Sequence, residues 1–224
     1  NLKGIKLINQ DSDTVLIEVG AGENWHKWVC TASNNSWYGL ENLALIPGRV
    51  GAAPIQNIGA YGVEVSDFIE SVKFIDLNKD KKDQTYISSM KNHECDFSYR
   101  NSIFKSLKNS LIITSVTFRL KKKFDPNLTY SNLAQTLEKN ISISSQDIIN
   151  NVTNIRKKKL PNPSLVPNAG SFFKNIEMNE EEFKKFIKNN PNSPFFKNKE
   201  IYKIPSAWLI DQCGYKSIKY KTLS

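Results

Sequence analysis

Apolar and polar residues are distributed along the chain in segments of two different periods. The stretches DTVLIEVG (13–20), ESVKFIDL (70–77) and LIITSVTFRL (111–120) have strand patterning, the last with apolar residues alternating in its second half. ENWHKWVCTAS (23–33) has the spacing of an amphipathic helix. An Asn-Lys-Asp turn at 78–80 before DQTYISS (83–89) predicts a hairpin. Further on, Ser144 followed by Asp147 has the form of a capping box, opening a helix over QDIINNVTNIRKKK that ends before Pro161. NEEEFKKFIKNN (179–190) predicts another helix, with acidic residues early and lysines late, as the helix dipole favours. Strands prevail in the first half and helices in the second, which predicts an α+β chain in two lobes. No repeat or low-complexity linker interrupts it.

The 224 residues give room for a sizeable core, and a hydrophobic share of 39% suits a folded protein. No apolar run approaches the roughly 18 residues of a membrane span, and the first residues lack a signal-peptide layout, so a cytoplasmic protein without a membrane partner is expected. Cys30, Cys95 and Cys213 are odd in number and widely spaced, which supports neither a disulfide framework nor a zinc site. His26 and His93 are too few and too distant for a metal site, and His26 is expected to pack or lie on a helix surface. The formal net charge of +9 raises the question of nucleic acid. Much of the excess is lysine scattered among asparagine and isoleucine, which describes a solvated face, so no nucleic-acid partner is expected. The charge also favours an anionic small-molecule substrate.

Candidate chemistry gathers in a few places. PGRVGAAPIQNIGAYG (47–62) holds Gly48, Gly51, Gly59 and Gly62 among small residues, two prolines, Gln56 and Asn57. Such a segment lets backbone N–H groups approach a ligand and admits positive φ, yet it equally suits a compact crossing between elements. It matches neither a dinucleotide fingerprint nor a phosphate-binding loop. In CDFSYRNSIFK (95–105), Arg100 could face a carboxylate or an enolate oxygen, or it could be structural. In IRKKKLPNP (155–163), the cations compensate a helix C-terminus, and Lys159 could also project into a cleft and hold a phosphate or carboxylate. Tyr130 could cap a cleft or pack. Ser171, in PNAGSFFKNI (167–176), has no histidine nearby and no nucleophile elbow, which argues against a hydrolase. Its hydroxyl could donate a proton in a water-poor site or satisfy the local backbone.

Taken in order, the blocks VGAGENWHKWV, GLENLALIPGRVGAAPIQNIGAYGVEV, CDFSYRNSIFK, LTYSNL, IRKKKLPNP, NAGSFFKN and AWLIDQCGYK closely resemble consecutive blocks of the UDP-N-acetylenolpyruvoylglucosamine reductase family, flavoproteins also called UDP-N-acetylmuramate dehydrogenases. The resemblance runs over nearly the whole chain. It implies an FAD-binding domain of the vanillyl-alcohol-oxidase (PCMH) type over 1–160, its core about 1–123, followed from 161 to 224 by the start of a smaller α+β substrate domain. It implies NADPH as hydride donor to FAD, and UDP-N-acetylglucosamine enolpyruvate as the substrate reduced on the way to peptidoglycan, by a protein expected to be monomeric. It also implies residue roles. Ser171 falls on the family's proton donor and Arg100 on the arginine that stabilises the enolate-like intermediate. The flavin-facing segment covers Pro47, Gly48, Val50, Gly51, Ala52, Ala53, Ile55, Gln56, Asn57, Gly59, Tyr61 and Gly62, with Arg156 facing the cofactor. Tyr130, Lys159 and Asn175 fall on substrate contacts.

The family pattern also places a glycine-rich turn for the FAD pyrophosphate ahead of the position of Asn1, and an active-site glutamate past Ser224. On that resemblance the chain is expected to be an internal piece, inactive by itself.

Overall fold

The structure, a computed structural model, describes residues 2–78, 87–107, 110–129, 133, 143–162, 165–167, 171–198 and 200–215. The backbone divides into two units, Asn1–Asn162 and Pro163–Ser224, each described here by itself.

In the first unit, β1 (Ile5–Gln10) and β2 (Thr14–Gly20) pair antiparallel, and α1 (Trp25–Asn34) follows. Short 3-10 turns at Glu41–Leu43 and Val50–Ala52 lead into a two-stranded ribbon of β3 (Gly59–Ala60) and β4 (Val63–Glu64). After a third 3-10 turn, Val65–Asp67, come β5 (Ile69–Asp76), β6 (Ile87–Lys91), the short α2 (Ile103–Ser106), β7 (Leu111–Lys121) and α3 (Ser145–Lys159). The main sheet has the order β1-β2-β7-β5-β6, and all its pairings are antiparallel.

Period-two patterning explains the layering. Val15, Ile17 and Val19 of β2, Val72 and Phe74 of β5, and Val116, Phe118 and Leu120 of β7 are buried together under Trp25, Trp28, Val29 and Ala32 of α1. The Trp28 and Phe118 rings lie 5.5 Å apart and the Trp25 and Phe118 rings 6.1 Å apart. Each large side chain fully buried in this way contributes about 1.5–3 kcal/mol by its removal from water. Polar residues hold the opposite face: Lys73 on β5 reaches Glu18 on β2 at 2.9 Å, and the Ser115 hydroxyl on β7 donates to the same carboxylate at 2.6 Å.

The expected helices form as the caps require. The Asn24 side chain accepts from the Lys27 N–H to start α1, and Ser144 and Asp147 cap α3 reciprocally. β5 and β6 form the expected antiparallel pair, whose connecting residues 79–86 lie outside the described residues. β1 has no counterpart among the sequence expectations. Among the described residues it pairs with β2 alone, and it is exposed along its whole length, so no buried face imposes an alternating pattern on IKLINQ.

The second unit adds short strands to the helices expected of the second half. It holds a three-stranded antiparallel sheet of β8 (Ile176–Met178), β9 (Phe196–Asn198) and β10 (Ile201–Ile204) in the order β8-β10-β9, with α4 (Glu180–Asn189) and α5 (Ser206–Gln212). Its strands are only three or four residues long, too short for a periodic signal. Its core is Phe183, Tyr202 and Ile204, with the first two rings stacked 4.0 Å apart. Both units carry helices and sheets, so the chain is α+β.

Candidate active site

The glycine-rich block 47–62 is a compact crossing, and part of it also faces solvent. The Val50 N–H donates to the Glu23 carbonyl, Gly51 to Ala21, Ala52 to Arg49 and Ala53 to Val50, so these donors are engaged within the protein and do not form an open N–H cradle. Val50, Ala53 and Asn57 are buried, whereas Pro47, Gly48, Ala52, Ile55, Gln56 and Gly62 are exposed. Gly48 adopts φ +124°, and nothing lies within 4 Å of where a Cβ would be. Gly51 is glycine for a different reason: a Cβ there would sit 2.6 Å from the Cβ of Ala21. Gly51, Ala52 and Ile55 join Phe104 of α2 and Leu111 and Ile113 of β7 around a cavity of about 240 Å³. Its walls are apolar, as a flat aromatic ring system requires, and the glycine and alanine bring the backbone to its edge. Of this block, Gly51, Ala52 and Ile55 have the shape and polarity for such a ring.

Two helices fasten the start of the block. Leu45 has φ +56°, an unfavourable conformation for a bulky residue. Its N–H donates to Nδ1 of His26 on α1 at 3.1 Å, and its carbonyl accepts from Nε of Arg156 on α3 at 3.3 Å. Arg156 also hydrogen-bonds the Tyr61 side chain near the far end of the block, and burial is the main influence on its guanidinium, lowering the pKa from its ordinary value. Burial, with Lys157 nearby, likewise lowers the pKa of His26, which favours the neutral ring that accepts from Leu45. His26 is thus a packing residue with a definite hydrogen-bonding task, one visible only once the chain places Leu45 against it.

Arg100 sits at the tip of a tight turn in which Ser98 and Asn101 exchange backbone hydrogen bonds at 3.1 Å, and its own φ is +56°. Its guanidinium donates from Nη2 to the Gly59 carbonyl at 2.6 Å and from Nη1 to the Asn57 carbonyl at 3.3 Å, and its Cζ lies 4.9 Å from the Tyr99 ring centre. The structure therefore joins Arg100 to the second half of the glycine-rich block, Asn57 and Gly59, although 41 residues separate Arg100 from Gly59. In the sequence these are two separate clusters. Glu64, 3.7 Å from Nη1, belongs to the same cluster and was not singled out.

Among the remaining candidates, Tyr130 lies outside the described residues. The segment just before it is held to the block: the Asn42 side chain donates to the carbonyls of Tyr61 and Asn127 at 2.9 Å, and a Cβ on Gly62 would meet the Thr129 hydroxyl at 2.8 Å. Lys159 is the last residue of α3 and is exposed. In the second unit, Ser171 is exposed beside Phe172 and Phe173, which are 81% and 60% exposed. Asn175 accepts from the Ser206 N–H at 3.3 Å, where α5 begins, and the Ser206 hydroxyl donates to the Lys174 carbonyl. Asn175 thus has a structural task that its sequence context did not reveal. Among the described residues no cluster of His, Cys, Asp and Glu could hold a metal ion, and no helix is long and apolar enough to cross a membrane.

Comparison with known proteins places this geometry. Residues 1–80 match a family described as "FAD binding domain". The chain is 46% identical over 217 residues to the UDP-N-acetylenolpyruvoylglucosamine reductase of Pseudoalteromonas atlantica, covering 96% of this chain and 60% of that protein. It is 41% identical to the enzyme of the same name from Aliivibrio fischeri, with 96% and 60% covered, and 41% identical to that of Bacteroides fragilis, with 95% and 63% covered. The crystal structure of the UDP-N-acetylenolpyruvylglucosamine reductase of Thermus caldophilus superimposes with a TM-score of 0.52 at 21% identity, over 99% of this chain and 57% of that one, a likeness of fold. The chain spans about 60% of the length of the curated relatives it matches.

Proposed function

From the premise that this chain belongs to the UDP-N-acetylenolpyruvoylglucosamine reductase family, we propose that the protein reduces UDP-N-acetylglucosamine enolpyruvate, using NADPH, as a monomeric cytoplasmic enzyme of peptidoglycan precursor synthesis. Bound FAD supplies the chemistry of accepting hydride from NADPH and delivering it to the enolpyruvyl double bond. The cavity edged by Gly51, Ala52 and Ile55 would take the flavin ring, and Pro47, Gly48 and Gln56 are exposed and so accessible to the cofactor. Arg100 places fixed positive charge where the substrate carboxylate and the enolate-like oxygen lie, and charge developing there is stabilised by a donor already in position. Ser171 gives its proton to the adjoining carbon. Lys159, Asn175 and Tyr130 hold the nucleotide diphosphate.

The observation that carries this reading is the union of Arg100 with the glycine-rich block through Gly59 and Asn57, because it sets a fixed cation beside the segment that fits a flavin. Protein expressed from its whole reading frame is expected to show a flavin absorbance spectrum that NADPH bleaches. Ser171→Ala should leave that bleaching nearly intact and slow reoxidation by the enolpyruvyl substrate by about 10²–10⁴-fold, the usual worth of a general acid. Equal loss in both half-reactions contradicts the proton-donor role, and a colourless protein contradicts the proposal as a whole.

A further inference from the structure

Gly59 and Glu64 are directly opposite each other across the β3–β4 ribbon, so their positions share one face of it. Glycine leaves its half of that face empty, and the Arg100 guanidinium occupies the gap. A Cβ on residue 59 would lie 2.8 Å from Arg100 Nη1 and 3.0 Å from Glu64 Cγ. On the far side of the gap, Glu64 Oε1 is 3.7 Å from Arg100 Nη1, and Glu64 Oε2 accepts from the side chain of Asn57 at 2.8 Å. Asn57 is almost fully buried and has φ +44°; its side-chain oxygen accepts from the Ser66 N–H at 3.0 Å, and its backbone carbonyl accepts from Arg100.

We propose that Glu64 is a positioning residue for the reduction, acting through Arg100: with Asn57 it forms a seat, opened by the missing side chain of Gly59, that fixes the direction in which the guanidinium points. This rests on the proposed function, in which Arg100 faces the substrate. The seat acts through geometry more than through charge. At 3.7 Å, with both side chains about a third exposed, the ion pair is loose, whereas the bonds to Gly59 and Asn57 are directional. Among the described residues, two carbonyls and one carboxylate engage the Nη end, and in this account the other N–H groups of the guanidinium meet the ligand. In this account Asn57 and Gly59 serve Arg100, and the flavin-facing part of the block is its first half, around the cavity.

The test uses protein from the whole reading frame, loaded with flavin, and follows flavin reduction by NADPH and reoxidation by UDP-N-acetylglucosamine enolpyruvate separately by stopped flow. Glu64→Ala is expected to slow reoxidation about 30-fold, as a misaimed group does, and to change flavin reduction by less than about threefold. Glu64→Gln, whose carbonyl can still accept from Asn57, should recover most of that loss. In an Arg100→Ala background, adding Glu64→Ala should cost less than about twofold, because the residue it aims is gone. Losses that multiply in the double variant, or fall equally on both half-reactions, overturn the seat while leaving the proposed function standing. Normal reoxidation by Arg100→Ala alone overturns both. If Glu64→Ala fails to hold flavin, Glu64→Asp in the two backgrounds gives the same cycle.

Discussion

The two units differ in how they hold the residues assigned to chemistry. In the first, Arg100 is held by Gly59, Asn57 and Glu64, and the start of the glycine-rich block is fastened by His26 and Arg156 from two helices. Under that site lies a core of three strands and α1, with Trp25, Trp28 and Phe118 at its centre. In the second, Ser171 is exposed beside two exposed phenylalanines, and the core of the unit consists of Phe183, Tyr202 and Ile204. On the proposed reading, the group whose value lies in fixed direction sits in the more heavily braced unit, and the hydroxyl that meets a carbon brought by the substrate is carried on the lighter one.

The contrast can be tested first in the cores. Phe118→Ala removes a fully buried ring that touches two tryptophans and is expected to cost about 3–5 kcal/mol, whereas Phe183→Ala, at a partly open stack, should cost about 2 kcal/mol. Denaturant unfolding followed by tryptophan fluorescence for the first unit, and by hydrogen exchange at β8–β10 for the second, reads each one. Equal costs would remove the difference in rigidity.

A smaller effect is expected at Gly39, which has φ +131° and a Cβ position only 2.3 Å from the Phe68 ring. Gly39→Ala should cost about 2–3 kcal/mol, from backbone strain and the displaced ring together, and a shift below about 0.5 kcal/mol in denaturant midpoint would show that Phe68 yields freely.

Smaller again is a pH effect at Glu41. Burial raises its pKa above the ordinary 4.5; Oε2 accepts from the Gly39 N–H, and Oε1 has no hydrogen-bond partner among the described residues. A carboxyl raised on folding contributes stability that is complete below its unfolded pKa and is lost as pH rises through its folded value. Glu41→Gln, uncharged at every pH, should therefore raise the melting temperature more at pH 7 than at pH 4. His26 has the opposite sense. Its lowered pKa gives a contribution complete above the unfolded value of 6.5 and lost as pH falls from there through the depressed folded value. His26→Asn should flatten the acid limb of the stability curve below pH 6.5 and leave the alkaline limb unchanged.

The last contrast needs no mutation. Burial, with Glu94 nearby, pushes the Cys95 thiol up to about 12, and burial alone raises Cys30, whereas Cys213 in the second unit is exposed. A thiol reagent at pH 8 should label Cys213 first, Cys30 slowly and Cys95 only on unfolding. Fast labelling of Cys95 would show that the first unit opens locally.

Much of this was determined by the sequence alone. The strands at β2, β5 and β7, the capped helices α1, α3 and α4, and the blocks that carry the family likeness are written in local periods, cap residues and side-chain types, which act over a few residues and so leave a local trace. Tertiary structure decided the rest. β1 is a strand because β2 offers it an edge, and the short strands of the second unit exist because β10 pairs on both sides. Gly51 and Gly59 look alike in the sequence, yet one gives way to Ala21 and the other to Arg100. Glu64 became part of the site only when the ribbon laid it opposite Gly59. Such roles arise where residues distant in sequence meet, and a glycine's neighbour across a fold leaves no mark on the residues beside it.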